Sequence, residues 1–315
     1  MIAFGPVPSR RLGRSLGINN IPPKVCTYSC AYCQVGKTLR MEIVRCPFYL
    51  PEDIVDEVRK KIEISGELGQ AIDYLTFVPD GEPTLDINLG QEIDMLKPLG
   101  IRIAVITNAS LIWNGVVKEE LSKADWVSLK VDAAEETAWR RINRPHRTLK
   151  LKSILEGILD FSRSYKGVLA TETMLVRDVN DGKKSLEMTA DFLAQVRPAK
   201  AYISVPTRPP AEDWVLPPSE ESINRAYQIF SSKLEQVELL VGYEGNLFDF
   251  TGDVERDLMS ITAVHPMREE AVKKFLEQTG RSWDVVQRMI DAGQLVQTEY
   301  GGNRFYLRLP VITPE

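Results

Sequence analysis

Between residues 51 and 205 the apolar positions follow two alternating rhythms. Short apolar runs, each bounded by polar, Gly or Pro residues, occur at Tyr74 to Val78, Ile101 to Ile106, Trp126 to Val131, Val168 to Val176 and Ala201 to Val205; they predict strands. Between them, amphipathic patterns over about 51 to 64, 88 to 98, 114 to 123, 148 to 164 and 182 to 195 predict helices, the last opened by Asp181-Gly182. Such alternation reads as repeated βα units around a parallel sheet. A further strand before residue 26 makes six units. Six are too few for a closed eight-unit barrel and enough for an α/β partial (β/α)6 TIM-like barrel, whose chemistry gathers at the C-terminal strand ends.

After Gly252 the texture changes. Met267 to Thr279 and Ser282 to Ala292 read as two short helices, followed by a strand, the turn Gly301-Gly302-Asn303 and a second strand, Arg304 to Leu309. Ser282 suits an N-cap, Gly293 a C-cap, and Gly-Gly-Asn the positive φ values of a tight hairpin. His265 precedes Pro266 at the start of this region. The expected organisation is a barrel over residues 1–250 and a small C-terminal winged-helix domain over 255–315.

Length agrees: a chain of 315 residues accommodates one barrel of ~250 and a small appendage. A hydrophobic content of 43% supports a large core. No apolar stretch approaches the ~18 residues of a membrane span and no signal-peptide pattern opens the chain, so a soluble, cytoplasmic protein with no membrane partner is expected. The net charge of -5 excludes a global field that gathers nucleic acid and leaves room for a local basic groove.

The cysteines sharpen the picture. Three fall within Cys26-Thr-Tyr-Ser-Cys30-Ala-Tyr-Cys33, and Cys46 lies apart, which in a cytosolic chain points to metal rather than to disulfides. Three soft thiolates on a short loop can hold three corners of an iron–sulfur cube and leave the fourth iron open. Four thiolates including Cys46 could instead close a tetrahedral zinc shell, although zinc ribbons usually pair two short knuckles and only one is present. Cys46 reads as core packing or as a hydrogen-atom donor near a radical. Gly36-Lys37-Thr38 is not a phosphate-binding P-loop, because Ala31 stands where its first glycine belongs.

With Tyr32 just before its last cysteine, this loop resembles the Cys-x3-Cys-x-aromatic-Cys signature of the radical S-adenosylmethionine superfamily. The resemblance implies a 4Fe-4S cluster on Cys26, Cys30 and Cys33, reductive cleavage of S-adenosyl-L-methionine to a 5'-deoxyadenosyl radical, Tyr32 beside the adenine, and an external electron donor such as flavodoxin or ferredoxin. After the first predicted strand of the repeat, Asp80-Gly81-Glu82-Pro83 is similar to the superfamily's Gly-Gly-Glu-Pro element, with Asp80 replacing the first glycine. That element holds the amino group of S-adenosylmethionine through backbone carbonyls and its acidic side chain. Strand-end groups in the superfamily bind the ribose and the methionine carboxylate, a role implied here for Asn108, Ser128 and Thr173.

Ser128, Lys130 and Asp132 share one strand face by period-two geometry. Lys130 and Asp132 read as catalytic, or as members of a structural ion pair in which Lys130 meets Asp132 or Glu172. Arg208, fixed between prolines after the last strand, reads as a clamp for a carboxylate or phosphate, or as a loop cap. The first 41 residues carry Arg10, Arg11, Arg14, Lys24, Lys37 and Arg40 and no acid, a basic entrance for an anion or a set of cations awaiting acidic partners.

The opening Gly5 to Asn19, the cysteine loop, Asp80 to Thr84 and Val205 to Pro210 together resemble a group related to the tRNA wyosine synthase and to NifB-type proteins, over about residues 1 to 250. Four cysteines cannot supply the extra clusters of NifB-type assembly. Three substrate classes follow: RNA, slightly favoured; a peptide or protein docked on the winged helix; and a small anionic metabolite. Residues 255 to 315 hold eight Lys or Arg and nine Asp or Glu, a net of -1, which weighs against RNA. The non-catalytic alternative is a zinc-bound winged-helix regulator.

Overall fold

The computed structural model describes residues 2–240, 253–264 and 266–308. His265 and the last predicted strand residue, Leu309, lie outside them. The chain opens with β1 (Ala3–Ser9) and β2 (Gly13–Ile18), an antiparallel pair. The cysteine loop follows, framed by a two-residue ladder of β3 (Val25–Cys26) with β4 (Arg40–Met41). Next come α1 (Pro51–Glu67), β5 (Tyr74–Phe77), α2 (Leu89–Leu96), β6 (Arg102–Thr107), α3 (Gly115–Leu121), β7 (Trp126–Lys130), α4 (Glu136–Asn143) and α5 (Leu151–Ser164). Then β8 (Val168–Met174), α6 (Lys183–Val196), β9 (Lys200–Ser204), α7 (Glu220–Ser231) and β10 (Val237–Leu240) complete an eight-stranded sheet of order β1-β2-β5-β6-β7-β8-β9-β10. Every neighbouring pair from β2 onward is parallel. The sheet curls into a partial TIM-like barrel.

Local chemistry sets these elements. Pro51 opens α1 with Glu52 and Asp53 in the first turn, where the orphan amides favour negative charge, and Ile54, Val55 and Val58 form its buried face. Asn114 caps α3 through Val116 N, and the Glu135 carboxylate caps α4 through Thr137 N and Ala138 N. On strands β5 to β7 the face made by Leu75, Phe77, Ile103, Val105, Val127 and Leu129 is apolar and fully buried, while the opposite face carries polar groups such as Thr76, Ser128 and Lys130.

The observed helices match the five predicted ones to within a few residues, and Gly182 caps α6 as expected. The sequence reading missed α4, α7 and a further helix over Val254–Val264, and it counted one strand before the cysteines and none after Val205, where β1 and β10 flank the expected six. Beyond residue 252 the chain forms α8 (Val254–Val264), β11 (Met267–Arg268), α9 (Glu269–Thr279), α10 (Asp284–Asp291), β12 (Leu295–Tyr300) and β13 (Asn303–Arg308). Ser282 does not cap α10: its hydroxyl binds the Asp284 carboxylate and Trp283 takes the cap position. The three antiparallel strands are ordered β11-β13-β12, over a core that includes Val272, Phe275, Val286, Met289 and Tyr306. Helix α8 packs on β1, and the Tyr300 hydroxyl donates to Pro206 O at 3.3 Å. Among the described residues no helix is long and apolar enough to cross a membrane.

Candidate functional site

Because parallel strands all point their C-terminal ends the same way, the segments that follow them converge on one rim. There a cavity of about 350 Å³ is lined by Cys26, Cys30 and Cys33 on one side, with Asp80, Gly81, Glu82 and Asn108 next to them. The basic side chains Arg10, Arg11, Lys24, Lys130 and Arg208 also line it.

Gly81 locks the cysteine loop to the sheet. Glu82 N donates to Val25 O at 3.2 Å, and a Cβ at position 81 would stand 2.0 Å from Val25 O, so no larger residue permits this approach. The Asn108 amide donates to Thr27 Oγ1 at 2.8 Å and lies 3.6 Å from the Cys26 sulfur, while the Asn143 amide lies 3.5 Å from that of Cys30. Burial, and then repulsion from Cys30, pushes the Cys26 thiol well up; burial, and then Asp132, pushes Cys30 up to about 12; burial also raises Cys33.

Three such thiols cannot ionise together without a cation to offset them, and amide donors aimed at sulfur are what cluster thiolates use. A tetrahedral zinc shell needs a fourth ligand beside these three thiols, whereas three thiolates can each take a different iron of one cube. Cys46 does not line the cavity; its backbone pairs with the 85–87 turn through Leu85 O and Ile87 N. The residues present fit the implied cluster.

Glu82 is the hub of the adjoining wall. Its carboxylate accepts from Thr84 N at 3.0 Å, Thr84 Oγ1 at 2.6 Å, Thr107 Oγ1 at 2.6 Å and Asn108 N at 2.8 Å. Burial nevertheless raises its carboxyl above the usual range, and among the described residues it has no ion-pair partner. A ligand ammonium beside it would relieve that deficit. Asp80 is paired with Lys24 at 3.3 Å, yet burial outweighs the lysine and lifts its carboxyl to about 6.

The structure divides the remaining candidates. Lys130 lines the cavity 4.9 Å from the centre of the Tyr32 ring and pairs with Glu172 at 3.0 Å. Glu172 also pairs with Arg11 and accepts from Ser204 Oγ at 3.0 Å. Burial alone would raise the Glu172 carboxyl, but Lys130 and Arg11 together hold it at about 2. Arg208 donates to Gln34 Oε1 at 2.7 Å.

Asp132, Ser128, Thr173 and Pro83 do not line this cavity. Asp132 is buried, with carboxylate bonds from the Tyr32 hydroxyl, from Asn143 Nδ2 at 2.6 Å and from Met174 N at 2.8 Å, so it anchors the loop around Tyr32. The Thr173 hydroxyl is spent on Val131 O at 2.8 Å, Pro83 O accepts from Asn20 Nδ2, and Ser128 is fully buried within β7. Period-two alternation put 128, 130 and 132 on one face, but β7 ends at Lys130 and the chain then turns toward α4. Sequence reasoning did not find Asn143 or Ser204, and assigned Arg11 no partner. Several of the N-terminal cations have acidic partners: Arg11 pairs with Glu172, Lys24 with Asp80, Lys37 with Glu212 and Arg40 with Glu42.

Comparisons with known proteins agree with this geometry. Residues 20–193 match the family model of the Radical SAM superfamily. A UPF0026 protein of Methanocaldococcus jannaschii is 49% identical over 98% of this chain and 96% of its own length. In fold, the chain is similar to TYW1 solved with a lysine-pyruvate adduct bound, with a TM-score of 0.50 and 18% identity over 70% of this chain and 74% of that one. It is similar likewise to a radical SAM methyltransferase from Sphaerobacter thermophilus, with a TM-score of 0.51 and 15% identity over 72% and 66% of the two chains. The cysteine loop, the rim that adjoins it and the matched segment coincide, and the chain belongs to the Radical SAM superfamily of enzymes.

Proposed function

We propose that Cys26, Cys30 and Cys33 hold a 4Fe-4S cluster and that Glu82, Asn108 and the Asp80-Gly81 segment bind S-adenosylmethionine beside it. The observation that carries this reading is the common cavity that the three thiols share with Glu82 and Asn108. When bound, the reduced cluster supplies the electron that cleaves S-adenosylmethionine to methionine and a 5'-deoxyadenosyl radical, for modification of a substrate in the same cavity.

The chain's own residues position and shield. Asn108 and Asn143 direct amide hydrogens at two of the sulfurs, which favours their ionised form. Asp132 holds the Tyr32 hydroxyl, and through it the loop that carries Cys30 and Cys33. The buried Glu82 carboxylate offers a fixed acceptor to an ammonium group. Lys130, kept charged by Glu172, lies between Tyr32 and the basic wall, where it can meet substrate. Flavodoxin or ferredoxin is the proposed electron donor. Residues 254–308 are read as a winged-helix-like unit, on the strength of their helix–strand order and separate core.

Anaerobic reconstitution with iron and sulfide, reduction with S-adenosylmethionine present, and detection of 5'-deoxyadenosine by mass spectrometry tests the proposal. Cluster-dependent product is expected. A reconstituted protein that retains zinc and forms no product refutes it.

A further inference from the structure

Residues 206–217, between β9 and α7, include the Thr-Arg-Pro-Pro run that follows the last predicted strand, and they lie outside the segment 20–193 that matches the family model. Both ends of this stretch are fixed. Pro206 O accepts from the Tyr300 hydroxyl of β12 at 3.3 Å. Arg177, just beyond β8, donates from its backbone N to Leu216 O at 3.0 Å and from Nε to Pro217 O at 2.9 Å. Prolines at 206, 209, 210 and 217 stiffen the backbone in between.

The middle of the stretch lies across the cysteine loop. Glu212 N donates to Ala31 O at 3.1 Å, Arg208 donates to Gln34 Oε1 at 2.7 Å, and Val215 packs in one buried cluster with Ala31, Ile142 and Val176. The Glu212 carboxylate accepts from Arg144 at 2.6 Å and pairs with Lys37 at 3.0 Å. From the other side the same loop is held by the end of α4: Ala31 N donates to Ile142 O at 2.8 Å, Ser29 N donates to Arg144 O at 3.2 Å, and the Asn143 amide lies against the Cys30 sulfur. Arg141 of α4 in turn lies 5.4 Å from the centre of the Trp214 ring.

We propose that residues 206–217 are a strap that holds the turn from Cys30 to Cys33 in its cluster-binding shape, with Glu212 as a positioning residue; the inference rests on the cluster reading above. Ala31 stands between these two thiols and is fully buried, with its N–H bound to α4 and its carbonyl bound to the strap. Loss of the strap would leave that carbonyl buried without a partner, so strap and turn are ordered together. Through its carboxylate Glu212 ties Arg144, the neighbour of Asn143, to Lys37, just beyond Cys33, and so closes α4, the strap and the cysteine loop into one ring of contacts. Ordering a flexible turn opposes binding of whatever its side chains hold, and a turn already held on both sides avoids that cost. The strap therefore slows cluster release without itself touching iron.

The test is the rate at which the reconstituted holoenzyme loses its visible cluster absorbance to a chelator under anaerobic conditions. Glu212→Gln keeps the side-chain size and the backbone N–H and removes both ion pairs; it should release the cluster about fivefold faster than wild type, and Lys37→Gln about twofold faster, as befits partly exposed pairs. The Lys37 side chain is 64% exposed, so its variant leaves the fold intact, and Lys37→Arg should restore the wild-type rate. Glu212→Gln combined with Arg144→Gln should be no faster than Glu212→Gln alone, because the two side chains act as one unit. Lys200→Gln is the control: it breaks the Lys200–Glu238 pair, also 3.0 Å long, at the opposite end of β9, and should leave release unchanged. Unchanged release in both Glu212→Gln and Lys37→Gln, an acceleration that Lys37→Arg does not restore, or equal acceleration in Lys200→Gln would each overturn the proposal. Wild-type protein that assembles no cluster sinks the radical reading, whereas a wild-type cluster whose release ignores these variants sinks only the strap.

Discussion

The Arg11–Glu172–Lys130 array can be tested through stability alone, with Glu172→Gln as the perturbation. The substitution keeps the side-chain shape and leaves two partly buried cations without their counter-charge. A glutamate carboxyl titrates at about 4.3 in an unfolded chain. Here it is held at about 2, so the folded state binds its proton more weakly. That displacement is worth about 3 kcal/mol, and loss of one partner of a buried pair costs a similar ~3 kcal/mol or more. Because the folded pKa is the lower one, this stability is fully present above about pH 4.3 and is lost as pH falls toward about 2.

Thermal unfolding of apoprotein, followed by circular dichroism under anaerobic conditions, should place Glu172→Gln roughly 6 °C below wild type at pH 7. The gap should stay constant down to about pH 5 and narrow below about pH 4.3. Equal midpoints at pH 7, or a gap that does not change down to pH 3, would refute the assignment of these charges as a stabilising array.

Four further outcomes follow from the geometry. Alanine at Cys26, Cys30 or Cys33 should abolish 5'-deoxyadenosine formation in the reconstitution assay, whereas Cys46→Ala should retain it. Gly81→Ala forces a Cβ against Val25 O, and should cost about 1–3 kcal/mol in thermal unfolding along with weaker S-adenosylmethionine binding by equilibrium dialysis. Tyr32→Phe removes the donor to Asp132, and should cost about 1–2 kcal/mol and speed loss of the visible cluster absorbance in chelator. Asp86→Asn should stabilise the protein above about pH 6: burial lifts Asp86 to about 6 and its neighbour Glu92 to about 9, so at pH 8 Asp86 carries an unfavourable buried charge beside a protonated Glu92, and the amide removes that charge. Midpoints measured at pH 5 and pH 8 check the sign, with the variant's advantage expected at the higher pH.

Much of the barrel was legible because its signals are local. The apolar runs of β5 to β9 and the amphipathic stripes of α1, α2, α3, α5 and α6 each declare themselves within a dozen or so residues, and the cysteine spacing needs only eight. Of the helices that escaped, α7 carries ordinary local signals, the Ser219 cap and Glu220 and Glu221 in its first turn, whereas α4 is short. Helix α4, with the sequence Glu-Thr-Ala-Trp-Arg-Arg-Ile-Asn, is one of eight residues, held by the Glu135 cap and by burial of Trp139 and Ile142 against the body. Strand β10 is four residues long and reads as a strand only beside β9.

The sequence alone determined the repeated βα order, the end of the barrel where chemistry collects, and the three thiols that define the superfamily, since periodicity and spacing are properties of neighbours in the chain. Only the tertiary structure decided which polar residues reach the cavity. It turned Asp132 away to hold Tyr32, left Ser128 and Thr173 inside the sheet, and joined Arg11 to Glu172 across a sequence separation of 161 residues. Such contacts depend on strand order and on where each strand stops, quantities that the curled sheet sets collectively and that no single segment carries.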